Sequence, residues 1–78
     1  MPERFKKLNS IQSFQLYCLE SYRTTKGISA INALHDFKKN NVFTFLEEAY
    51  QVLHTQSQHY ILSEINRYIQ QHDNTVPR

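Results

Sequence analysis

The chain has a single cysteine, Cys18, so no intrachain disulfide can form. A secreted domain of this size would ordinarily carry several bridges. It has one glycine and two prolines in 78 residues. Tryptophan is absent. No continuous apolar segment follows Met1-Pro2-Glu3-Arg4-Phe5-Lys6-Lys7, so no signal peptide is expected. No run approaches the roughly 20 apolar residues that span a bilayer. Charge of one sign is also lacking: nine Lys and Arg face seven Asp and Glu, a formal net charge of +2. Nucleic acid and anionic membrane are therefore disfavoured as partners. The expected setting is the cytoplasm.

Aromatic residues are plentiful. Five Phe and five Tyr make up 13% of the chain, and each ring can bury a large area. The length corresponds to one domain near the lower limit of what folds without staples. Order is expected over about 8–72. The polar ends, 1–7 and 73–78, each contain a Pro and are expected to fray.

Hydrophobic periodicity predicts four helices. The first spans about Ser10 to Lys26, with Leu8, Ile11, Phe14, Cys18, Leu19 and Tyr22 on one face and Gly27 as a left-handed C-terminal cap. Ser29 is placed to cap a short second helix bearing Ala30, Ala33, Leu34 and Phe37, with Ile31 on its flank. Asn40-Asn41 stops it. Thr44 and Glu47 match a capping box for a third helix running to about His54, with Phe45, Leu46, Ala49, Tyr50, Val52 and Leu53 on a broad face and Val42 packing back from just ahead. Thr55 or Ser57 caps a fourth helix that reaches about Gln71, with Ile61, Leu62, Ile65, Tyr68 and Ile69 inward. No segment alternates with a period of two. The expected fold is all-α, a compact irregular four-helix domain with near-antiparallel neighbours.

Chemistry-bearing residues are few. Cys18 sits mid-helix between Phe14 and Tyr22, with nothing adjacent to lower its pKa, and reads as a structural core thiol. His54 and His59 flank the last turn, but no third ligand completes a metal spacing. Arg67 and His72, with four residues between them, resemble the Arg-x4-6-His motif of helical-bundle ribonucleases of the HEPN type; such a pair can stabilise a phosphorane and move protons. Those enzymes are usually longer. The second and third helices could be taken for a helix-turn-helix, but the reading helix would offer Glu47 and Glu48 to phosphates, and Lys6-Lys7 and Lys38-Lys39 are isolated pairs. The reading is of no catalytic residue, no metal and no cofactor.

The residues that break the helical pattern point elsewhere. Leu16 and Tyr17 lie off the apolar face of the first helix. Tyr60 lies off the face of the fourth, on the side carrying Glu64, Arg67 and Gln71. Phe43 precedes the third helix, placed either to pack or to project. A cluster of such side chains marks an interface, and Tyr is favoured there.

Phe14-Gln-Leu-Tyr-Cys-Leu-Glu-Ser-Tyr22, Leu34-His-Asp-Phe-Lys-Lys-Asn-Asn-Val-Phe43 and Tyr50-Gln-Val-Leu-His-Thr55, with Tyr60-Ile61 and Ile65-Asn-Arg-Tyr-Ile69, resemble a family of short bacterial all-helical proteins of unknown function. The Leu-His-Thr step is its most specific feature. The chain departs from that pattern at Ser57, where the family tends to have Gly, and at Asn66-Arg67, where it tends to have acids. The resemblance implies no activity. It does imply companionship with larger proteins, some similar to ADP-ribosyltransferase-like toxins, and hence an antitoxin or adaptor role. The expected function is a non-enzymatic protein-interaction module with an unidentified protein partner, able also to pair with itself. A small nucleic-acid-binding regulator and a ribonuclease using Arg67 and His72 are the alternatives.

Overall fold

The computed structural model describes residues 8–73, and the chain ends on which fraying was expected lie outside them save Asp73. Helix α1 covers Ser10–Lys26. Asn9 starts it through a reciprocal capping box: its side chain accepts from the Gln12 N–H at 2.7 Å, and Gln12 Oε1 accepts from the Asn9 N–H at 3.1 Å. Gly27 ends it at φ +68°, a left-handed cap that glycine takes without a Cβ penalty. Helix α2, Ala30–Lys39, begins on Ser29, whose hydroxyl accepts from the Asn32 N–H at 3.2 Å.

Helix α2 ends at Lys39, with Asn40-Asn41 as the stop that the sequence indicates. Asn40 is buried, and its side-chain amide donates at 2.9 Å to the Asp36 carbonyl, which also accepts from the Asn40 backbone N–H at 3.1 Å. Asn41 then adopts φ +57°, the left-handed conformation that Asn tolerates better than most residues. That single residue turns the chain, and helix α3, Val42–Glu48, starts at once. Thr44 is therefore inside α3 and exposed, not its cap, and no Thr44–Glu47 capping box forms; no side chain caps α3. Phe43, expected ahead of the helix, lies in its first turn.

The expected third helix is also broken. Ala49, at φ −96° and ψ +6°, separates α3 from a short α4, Tyr50–Leu53. Its carbonyl accepts from both Val52 and Leu53, at 3.0 and 2.8 Å. Helix α5, Gln58–Asp73, is the last described element, and no strand occurs among the described residues. The fold is all-α, with five helices among the described residues where four were expected. None of them is long and apolar enough to cross a membrane.

The core draws on every helix. Cys18, Phe37, Val42, Leu46 and Ile65 are fully buried, joined by Phe14, Tyr22, Ala33, Leu53 and Ile61. Phe37 packs between Tyr22 and Phe43, with ring centroids at 5.1 and 5.3 Å. Phe14 meets Tyr50 edge to face, and Phe45 stacks on Tyr68 at 4.3 Å. Four side chains of the expected apolar faces lie outside: Leu8, Ala30, Ile31 and Val52 are exposed. The α3–α4 spine is narrower than the sequence suggests. Val42, Leu46 and Leu53 fall within one stripe, whereas Val52 sits about 100° from Leu53 and meets no core neighbour.

Three long-range polar contacts tie the helices together. Gln15 Nε2 donates to the Phe43 carbonyl at 2.9 Å, Tyr22 donates to Asp36 at 2.8 Å, and Gln58 Nε2 donates to the buried Ser21 hydroxyl at 2.9 Å. No buried side-chain nitrogen or oxygen lacks a hydrogen-bond partner among the described residues.

Leu46→Ala removes a fully buried side chain at the meeting point of the helices. It is expected to lower unfolding free energy by roughly 2–5 kcal/mol, a large part of the stability of so small a domain. Urea unfolding followed by circular dichroism measures it, and an unchanged midpoint would contradict this packing.

Candidate functional site

The turn between α4 and α5 carries the His54-Thr55-Gln56-Ser57 sequence. His54 follows the last residue of α4, and its backbone N–H donates to the Tyr50 carbonyl at 2.9 Å. Its ring reaches back to the same carbonyl, Nδ1 to oxygen 2.7 Å, a donation that places the proton on Nδ1. The imidazole also stacks on the Tyr50 ring at 4.3 Å, which fixes its plane. Ser57 caps α5: its hydroxyl accepts from the Tyr60 N–H at 3.2 Å, and its carbonyl from the Ile61 N–H at 3.0 Å. Thr55 is exposed and makes no comparable bond, so of the two expected caps it is Ser57 that serves. The turn thus closes one helix and opens the next within four residues.

Cys18 has no exposed surface, and desolvation pushes its thiol from 9.0 up to about 12. A thiol so placed is a poor nucleophile at neutral pH. Among the described residues no three His, Cys, Asp or Glu side chains gather closely enough to hold a metal ion.

Arg67 and His72 do not face one another along α5. Five residues at 100° each place them about 140° apart around the helix. Arg67 Nη2 spans the Glu64 carboxylate at 2.8 and 3.1 Å, while the His72 ring lies on Tyr68 at 4.5 Å. The hydrogen bond to Glu64, reinforced by its charge, holds the Arg67 guanidinium still more firmly protonated. Arg67 instead joins Phe45, Glu64, Tyr68 and Gln71 around an open cleft of about 250 Å³ between α3 and α5. The Phe45–Tyr68 stack forms one wall of it.

Of the four side chains expected on a partner surface, three are outside. Leu16 is 50% exposed, Tyr17 45% and Tyr60 43%. Phe43 is not among them: it is half-buried and packed edge-on against Phe37. Its placement follows from the early start of α3, which turns the side chain inward. Leu16 lies opposite Phe14 and Cys18 on α1, and Tyr17 lies about 100° from Leu16 on the flank. The cleft was missed by sequence reading, although Tyr60, Glu64, Arg67 and Gln71 had been placed on one side of their helix. What it lacked was the arrival of Phe45 from α3.

Residues 13–72 match the family described as protein of unknown function (DUF3791). The chain belongs to this family. No curated protein and no solved structure matches it. The match takes in all of α2, α3 and α4, nearly all of α1 and α5, and both the turn at His54–Ser57 and the cleft.

Two outcomes check these assignments. Ser57→Ala is expected to cost about 1 kcal/mol of stability, while Thr55→Ala stays within about 0.5 kcal/mol; equal effects in thermal melts would contradict the cap. For Cys18 the folded thiol ionises at about 12 against an ordinary 9.0. Its contribution to stability is therefore complete below pH 9.0 and is lost as pH rises from there towards about 12. Stability measured against pH should fall more steeply over that window in the wild type than in Cys18→Ala; parallel curves would refute the buried-thiol account.

Proposed function

We propose that this protein is a non-enzymatic interaction module that docks on another protein through the outer side of α1. One observation carries the reading: Leu16 and Tyr17 are adjacent, large, apolar and about half exposed, on a helix whose other side supplies Phe14, Cys18 and Tyr22 to the core. Isolated exposed apolar residues are ordinary. Here two, about 100° apart around α1, are carried by a rigid, doubly capped helix, where an anchor is held at little entropic cost. Tyrosine suits such a place because its ring buries area while its hydroxyl stays hydrated.

The partner is a larger protein of the bacterial cytoplasm, and the role is antitoxin-like or regulatory. Support for this part comes from the resemblance described above. The buried thiol and the separation of Arg67 from His72 around α5 favour binding over chemistry.

Affinity capture from native lysate, comparing the wild type with the double variant Leu16→Ser and Tyr17→Ser, tests the proposal. A protein retained by the wild type and released by a folded variant is the expected result. Equal retention by both would remove α1 as the docking face.

A further inference from the structure

A separate face of the molecule is complementary to itself. Tyr60, Glu64, Arg67 and Gln71 follow one another on α5 at intervals of four, three and four residues. At 100° per residue they fall within about 60° of arc, a single straight strip along the helix. The strip is not the core side: Ile61 and Ile65 point about 90–130° away from it and are buried. Tyr60 and Arg67 stand well into solvent, with the Arg67 side chain 66% exposed. Phe45 and Tyr68 form the wall beside the strip.

We infer that a second copy of this chain packs on the strip, α5 against α5, antiparallel about a twofold axis between Ile65 and Asn66. The order of the side chains sets the register. A twofold axis there places Glu64 opposite the second copy's Arg67 and Arg67 opposite its Glu64. The same axis places Tyr60 opposite Gln71 and Gln71 opposite Tyr60. Both pairings come from one operation, as an isologous interface requires. A parallel arrangement would instead set Glu64 against Glu64 and Arg67 against Arg67.

The electrostatics suit this occupant. Within one chain Arg67 uses Nη2 on its own Glu64, and the bond is of the i to i+3 kind on an open helix surface. The guanidinium is a planar fork with five donors, so Nε and Nη1 remain to meet a carboxylate arriving from outside. Two such pairs brought together make a four-charge cluster of alternating sign with no net charge. Each Tyr60 comes to the Gln71 end of the facing cleft, where the Phe45–Tyr68 stack offers it an aromatic wall. Four side chains a side bury little area, so the association is weak and concentration-dependent. Because the strip lies on α5 and the proposed docking face on α1, self-association and partner capture can fail independently.

Sedimentation equilibrium of the full chain, from about 10 µM to about 1 mM, reads this directly. The wild type is expected to pass from monomer to dimer over that range. Glu64→Arg and Arg67→Glu, each alone, set like charges across the axis and are expected to stay monomeric with unchanged helical circular dichroism. Mixed in equal amounts, they restore both pairs, one copy carrying two cations and the other two anions, and dimer mass returns. Tyr60→Ala, which truncates an exposed side chain and spares the fold, is expected to weaken association by about tenfold. A wild type monomeric throughout, a mixture that stays monomeric, or a Tyr60→Ala variant that associates like the wild type would each overturn the inference.

Discussion

Phe37 holds the arrangement together. It comes from the shorter of the two helices in the N-terminal hairpin, has no exposed surface, and contacts Tyr22 from α1 on one side and Phe43 from α3 on the other. A ten-residue helix is marginal alone in water. Helix α2 persists because Phe37 and Ala33 are enclosed by its neighbours, and α3 can turn directly off its end because Phe43 has a ring to meet. The Tyr22 hydroxyl on Asp36, one residue before Phe37, orients the same contact with a polar bond.

Around that centre, directional bonds fix what apolar packing leaves loose. Hydrophobic contact is not directional and tolerates sliding. Gln15 on the Phe43 carbonyl, Gln58 on Ser21 and Asn40 on the Asp36 carbonyl each join a particular atom to a particular atom. They set where α3 crosses α1 and where α5 begins beside it. Among the described residues, the outer side of α1 and the flank of α5 beside Phe45 both stay accessible. Those are the sides on which binding is proposed.

The two Tyr–His pairs, Tyr50 with His54 and Tyr68 with His72, show how one local pattern takes different surroundings. Both are four residues apart on a helix, so the rings meet through helix geometry alone. At His54 the pair ends a helix, and the imidazole also satisfies a carbonyl. At His72 the tyrosine is itself stacked on Phe45, so the pair extends a wall of the cleft between α3 and α5.

Much of this was legible along the chain because it is local. The limits of α1, the left-handed Gly27, the Ser29 cap, the halt at Asn40-Asn41 and the His54 and Ser57 roles each need only a few neighbouring residues. The all-α class follows from periodicity for the same reason. Elsewhere the sequence was ambiguous, and tertiary contact decided. Thr44 with Glu47 is a sound capping pattern, yet burial of Val42 and the turn at Asn41 start the helix two residues before it. Val52 looks as apolar as Leu53, but only one of them has a helix to pack against. Phe43 could have faced either way until Phe37 received it. The cleft exists only because Phe45 and Tyr68, 23 positions apart in the chain, are stacked by the crossing of two helices. Capping and periodicity act over a single turn and are written in adjacent residues, whereas which face finds a neighbour depends on helices that meet only after the chain has folded.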